Sequence, residues 1–149
     1  MSTIKVNNAC ALIYCDENGY RWILFVWKKH RKGISYMLPG GKLERNEKPW
    51  QGMKREYKEE VGVSLPKPDE VMFTKSYYRK HSDGSITKIY SGYSKKPRSW
   101  FKYRKEYVLN NETDGIAWLT LNDALTNKMV KSYVRRSLMQ MHMHNPPII

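Results

Sequence analysis

Apolar residues fall into short blocks separated by turn residues, and the blocks change period along the chain. Ala9-Cys10-Ala11-Leu12-Ile13-Tyr14 is an unbroken apolar run that predicts a short buried strand. Asp16-Glu17-Asn18-Gly19 closes it as a turn, and Arg21 to Trp27 returns as a β-branched and aromatic strand, so the pair predicts a hairpin. Tyr36-Met37-Leu38 forms a brief strand stopped by Pro39-Gly40-Gly41. A helix follows from Pro49 to Val61, because proline suits a first helical position and Gly62 with Pro66 ends the segment. Val71 to Tyr78 and Ser85 to Tyr93 predict two strands joined by the turn His81-Ser82-Asp83-Gly84. Lys95 to Tyr107 is basic and aromatic, a loop or an edge hairpin, and Gly115 to Leu119 is a last strand. A helical region begins at Asn122 to Asn127 and continues from Lys131 to Met143, with Val134, Leu138 and Met141 apolar. Met129, Met139, Met141 and Met143 are expected to fill its apolar side. The fold class that results is α/β, a mixed β-sheet with helices on its faces.

The length of 149 residues suits one domain spanning 1–149, with a tail over 144–149 expected to fray. Cys10 and Cys15 have neither the number nor the spacing of a disulfide framework or a zinc site, which favours a reduced, cytoplasmic setting. No apolar run approaches the roughly 18 residues of a membrane span, and no secretory leader is visible. The lysine- and asparagine-leaning composition is that of an AT-rich genome, a virus acting in a host cytoplasm among the candidates.

Charge narrows the partners. Lys+Arg number 27 against 14 Asp+Glu, a net +13, so an anionic partner or substrate is expected. The cations cluster at Lys28-Lys29-His30-Arg31-Lys32, at Lys95 through Lys105, and at Lys131 with Arg135-Arg136. His30, His81, His142 and His144 show no metal or general-base spacing and are read as surface residues.

Against this basic background one helix is acidic. Glu56, Glu59 and Glu60 stand at i, i+3 and i+4 and share a face, where like charges repel. A divalent cation with oxygen ligands would neutralise them. On spacing alone, a solvated face with Lys54 and Lys58 as partners is the other reading. Glu47, in the preceding loop, could reach Arg55 and hold its orientation.

The full spacing is Gly41, five residues, Glu47, seven residues, Arg55-Glu56-Tyr57, one residue, Glu59-Glu60, one residue, Gly62-Val63. It resembles the Nudix box of the Nudix hydrolase family, with all seven invariant letters present. Tyr57 stands where an aliphatic residue is usual, Gly52 where alanine is more typical, and Lys48 where a capping Ser or Thr is common. Leu38-Pro39-Gly40-Gly41 and Ile116 to Thr120 resemble the family's flanking segments.

The resemblance implies an α/β/α sandwich and cleavage of a phosphate anhydride. It implies Mg²⁺ or Mn²⁺ held by Glu56, Glu59 and Glu60, with a carbonyl of Gly40 or Gly41 added, and Arg55 and Glu47 orienting the carboxylates. The proton acceptor is Glu59, Glu56 or Glu112, the last being equally readable as a solvated loop residue. In the family, a Pro sixteen residues past the box marks ADP-ribose enzymes, and a Tyr seventeen or eighteen past it marks dinucleoside-polyphosphate enzymes. Arg79, Lys80 and His81 occupy those places here.

The expected substrate is therefore nucleoside-diphosphate-linked or highly phosphorylated: a dinucleoside polyphosphate, a diphosphoinositol polyphosphate, or an RNA 5′ cap or end. Lys28, Arg31, Lys32, Tyr77 and Arg79 are the expected substrate contacts. The alternatives are a nucleotide-pool sanitising NTP pyrophosphohydrolase and a non-catalytic RNA-binding protein on the same scaffold.

Overall fold

The computed structural model describes residues 4–144, apart from the side chains of Asn110 and of 141–144. Of the tail expected to fray, His144 closes the last helix and 145–149 lie outside the described residues. Seven strands form one mixed sheet: β1 (Asn8–Glu17), β2 (Tyr20–His30), β3 (Gly33–Met37), β4 (Gly40–Lys42), β5 (Val71–Lys80), β6 (Ile86–Ser94) and β7 (Gly115–Thr120). The helices are α1 (Pro49–Val61), α2 (Leu121–Thr126) and α3 (Ser132–His144). The strand path is β3-β2-β1-β6-β5, with β4 also pairing β1 and β7 also pairing β2. Only β1 and β6 run parallel among these pairs.

The apolar run in β1 is continuous because both its faces are covered. Cys10 and Leu12 face a core completed by Ile23, Phe25, Ala124, Val134 and Leu138. Ala9, Ala11 and Ile13 face the other core, with Leu24, Val26, Met53, Tyr57 and Val61. Helix α1 covers one side of the sheet and α2 with α3 cover the other, giving the expected sandwich. Asn18 and Gly19, with φ of 53° and 80°, make the two-residue turn between β1 and β2, where positive φ at both positions matches strand twist.

Two elements differ from expectation. Gly40-Gly41-Lys42 is a strand rather than only a turn: β1 draws it in, with Ala9 opposite Gly41 and Cys10 opposite Gly40. The terminal helical region is two helices, because Val130 bridges to Tyr36 and pulls 127–131 out of helical conformation. Met129 and Met139 are exposed at 49% and 55% rather than filling the core. The segment from Lys95 to Tyr107 is a loop with two single 3-10 turns, Arg98–Trp100 and Lys105–Tyr107. No helix among the described residues is long and apolar enough to cross a membrane.

Candidate active site

Helix α1 occupies the expected span. Pro49 opens it, and Gly62 ends it in left-handed conformation (φ 82°), its N–H donating to the Lys58 carbonyl. The Lys48 side chain makes no cap; the Gln51 side chain accepts from the Lys48 N–H at 3.3 Å instead. Met53, Tyr57 and Val61 are buried on one side of the helix, each contributing about 1.5–3 kcal/mol by burial. Tyr57, the departure from an aliphatic residue, is 1% exposed and packs as core. With that side anchored, the acids on the remaining face are fixed in space.

Arg55 organises them. Its Nε and Nη2 donate to the two carboxylate oxygens of Glu47 at 2.8 and 3.0 Å, a bidentate pair. Nη1 donates to Glu56 Oε1 at 3.0 Å and to Glu59 Oε2 at 3.1 Å, and Nη2 also reaches the Lys42 carbonyl at 3.1 Å. One guanidinium thus links the loop, the end of β4 and two acids. The Arg55 guanidinium, in turn, holds the Glu47 carboxyl below its ordinary range, with the Glu44 N–H adding a second bond.

Carboxylate oxygens of Glu56, Glu59 and Glu112 lie within 4.8 Å of one another. Burial pushes the Glu56 carboxyl upward, partly offset by Arg55. Glu60 differs from its neighbours. It is 6% exposed, its Oε1 accepts from the Gly40 N–H at 2.7 Å, and burial pushes its carboxyl up to about 8 despite that bond. The negative charges of Glu56, Glu112 and Glu59 add to the upward push. Glu60 therefore stands beside the group of three but is tied to the backbone of β4.

Glycines allow the close approach. A Cβ on Gly41 would lie 2.8 Å from the Glu56 carboxylate, and one on Gly40 would lie 2.3 Å from the Ala9 carbonyl. Gly52 also has a role that helix propensity does not reveal. It is buried, and a Cβ there would meet Leu43 Cδ2 at 2.2 Å and Glu47 Oε1 at 2.9 Å. The residue that is typically alanine is glycine here because Leu43 and Glu47 pack onto it.

Glu112 reaches the acids through contacts that sequence reasoning missed. Thr113, fully buried, donates its hydroxyl to the Glu60 carbonyl. The Thr113 carbonyl accepts from Tyr103 OH at 2.8 Å and Lys105 Nζ at 2.6 Å. Lys28 Nζ donates to the Asn111 carbonyl, and Lys28 and Lys105 both pair with Asp114, at 3.7 and 3.6 Å. All but the nearest of these partners lie far apart in the chain, Lys28 and Asn111 by 83 positions, and no spacing announces them.

The expected substrate contacts divide. Lys28 is engaged as just described and braces the Glu112 loop. Arg31 and Lys32 form the exposed turn between β2 and β3. Tyr77 is partly buried and packs against the core shared with α3, opposite Ile89 in the β5–β6 register. Arg79 is held by α3, its Nε donating to Ser137 Oγ and its Nη2 to Gln140 Oε1, each at 3.0 Å.

A cavity of about 410 Å³ opens beside the acids. Gly40, Gly41, Cys10 and Leu38 line one part of it, and His81, Thr87, Lys131 and Tyr133 another. His81 Nε2 bonds Thr87 Oγ1 at 2.6 Å, and its ring meets Tyr133 edge-on. Cys10 and Cys15 are free and buried.

Known proteins agree with this geometry. The family model described as the NUDIX domain matches residues 5–140. The 8-oxo-dGTP diphosphatase of Proteus vulgaris is 37% identical over 65 residues, covering 44% of this chain and 57% of that protein. The chain thus spans just over half the length of that relative. Among solved structures, a C. elegans Ap4A hydrolase in a binary complex superposes with a TM-score of 0.68 at 17% identity, covering 94% of this chain and 97% of that one. The NUDIX domain of Shewanella oneidensis NrtR, complexed with ADP ribose, gives 0.65 at 15% identity, covering 96% and 90%. At those identities the likeness is one of fold. With the family model matching nearly the whole chain and the acids gathered around Arg55, this protein belongs to the Nudix family of hydrolases.

Proposed function

We propose that the chain hydrolyses a phosphate anhydride in a nucleoside-diphosphate-linked or highly phosphorylated small molecule, using Mg²⁺ or Mn²⁺. The observation that carries this reading is the set of carboxylate oxygens of Glu56, Glu59 and Glu112 within 4.8 Å, with Arg55 bonding Glu56 and Glu59 against their repulsion. An all-oxygen donor set suits a hard divalent cation. Glu60, buried with its carboxyl raised to about 8, is a further acid whose charge such a cation would compensate. Glu56, Glu59 and Glu60 would hold the ion, with the Gly40 carbonyl as a further donor and Glu112 beside them. When bound, the ion neutralises charge on phosphoryl oxygens and activates water.

The chain's own residues supply position and a proton acceptor. Arg55, steadied by Glu47, fixes the Glu56 and Glu59 oxygens. Glu112 accepts the proton of the attacking water: it is exposed and, unlike Glu56 and Glu59, takes no hydrogen bond from Arg55. The cavity beside Gly40 and Gly41 takes the part of the substrate next to the bond that breaks.

The test is hydrolysis of a panel with Mg²⁺ or Mn²⁺: ADP-ribose, dinucleoside polyphosphates, diphosphoinositol phosphates, capped RNA and damaged dNTPs, with products identified. Glu59→Gln should remove most turnover and leave the fold intact; near wild-type hydrolysis by that variant would refute the assignment. A second reading, a nucleotide-pool pyrophosphohydrolase releasing a nucleoside monophosphate and pyrophosphate, is supported by the stretch shared with the Proteus 8-oxo-dGTP diphosphatase. The intact carboxylates weigh against a binding-only protein.

A further inference from the structure

A second, larger cavity of about 820 Å³ lies between the end of β5 and the start of α3. His81, Lys131 and Tyr133 line both it and the cavity beside Gly40 and Gly41, so the two adjoin. Its walls also carry Arg79, Lys80 and Arg136, and no carboxylate lines it. Lys80, Lys131 and Arg136 are exposed, and none of them pairs with an acid among the described residues. Arg79 keeps its charge too, since Ser137 and Gln140, the side chains that fix it, are neutral. Some cations elsewhere are paired with acids, Arg21 with Asp16, Arg98 with Glu17, and Lys28 and Lys105 with Asp114; what sets this cavity apart is that four cations share one wall.

Four cations around one depression repel one another with no carboxylate in its wall, Asp83 lining the neighbouring cavity instead, an arrangement that an anion of several charges relieves. Helix α3 also starts at this wall with no acid in its first turn, which adds to the field without creating it. The volume is that of a ligand pocket rather than of a single ion.

We infer that this cavity is a subsite for further phosphate groups of the substrate, the part of a polyphosphate chain beyond the anhydride that is cut. The inference rests on the hydrolase reading for its geometry, and it assigns the substrate class: a small molecule with at least one phosphate beyond the two joined by the broken anhydride. Lys131 lines both cavities and stands where they adjoin. A nucleotide sugar or ADP-ribose, with two phosphates, leaves this subsite empty.

The test separates binding from catalysis. Inorganic tripolyphosphate is titrated calorimetrically into the full chain in EDTA, using wild type, Glu59→Gln, Lys131→Ala, Arg136→Ala and Arg136→Glu. Wild type and Glu59→Gln should bind alike, and affinity should fall as salt rises. Each alanine variant should lose about fivefold, and Arg136→Glu more than tenfold, the range of single charge-assisted contacts. In turnover, Arg136→Glu should raise KM for a tetraphosphate-bridged dinucleotide about tenfold and leave kcat, and the KM for a diphosphate-bridged one, unchanged. Equal tripolyphosphate affinity in wild type and Arg136→Glu would overturn the subsite while leaving the hydrolase reading standing. Inactivity on every substrate with retained, Arg136-dependent binding would do the reverse. A 5′-triphosphorylated RNA whose affinity grows with chain length past the first nucleotide would also overturn it, because the cavity would then follow a nucleic-acid backbone.

Discussion

Glu60 makes the metal-free protein lose stability as pH rises. The carboxyl is 6% exposed, and burial moves it from the ordinary 4.5 to about 8. The unfolded chain releases this proton near 4.5, whereas the folded chain keeps it until about 8. Between those values the native state binds more protons than the unfolded one, so stability falls with pH. Over the whole window the effect is about 5 kcal/mol at 1.36 kcal/mol per pH unit. Each kcal/mol moves Tm by about 2–4 °C for a chain of this size. Thermal unfolding in EDTA from pH 5 to 8 should therefore show Tm dropping by ten degrees or so. Glu60→Gln, which keeps an oxygen for the Gly40 N–H, should flatten the profile. Mg²⁺ should raise Tm most at pH 8, where the carboxylate is charged and the ion binds only the folded state. A flat wild-type profile, or the same slope in Glu60→Gln, would refute the reasoning.

Other perturbations test the supports. Gly52→Ala improves helix propensity by about 1 kcal/mol, yet a Cβ 2.2 Å from Leu43 should leave the protein about 1–3 kcal/mol less stable, measured by urea unfolding. Arg55→Lys replaces a fork that touches Glu47, Glu56 and Glu59 with a point charge; kcat should fall on the order of a hundredfold with little change in Tm. Thr113→Val breaks the bond to the Glu60 carbonyl, and should cost about 1–3 kcal/mol and lower kcat by loosening the Glu112 loop. Glu112→Gln should lower kcat on the order of a hundredfold or more with KM little changed; unchanged kcat would move the proton acceptor to another carboxylate.

What could be read from the chain was local. Helix α1 was legible to the residue because Pro49 and Gly62 punctuate it, and its Arg-Glu pattern fixed the family. Strand β4 was not legible, since two glycines and a lysine have no strand propensity and pair only because β1 lies alongside. The break between α2 and α3 depends on Val130 meeting Tyr36, a contact across the fold. Lys28 reads in sequence as one of a basic run, and its bond to the Asn111 carbonyl appears only when β2 and the Glu112 loop are folded together. Arg79 and Tyr77 read as ligand contacts because they lie among basic and aromatic residues, and only the β5–β6 register shows what they pack against.

The hydrolase reading requires that the Arg55-held glutamates gather a divalent cation. Titration of Mn²⁺ into the protein, followed by electron paramagnetic resonance, tests it without any choice of substrate. Wild type should bind the ion, and both Glu56→Gln and Glu59→Gln should bind it at least tenfold more weakly while unfolding at unchanged temperature. Equal Mn²⁺ affinity in all three proteins, or none in wild type, would contradict the account.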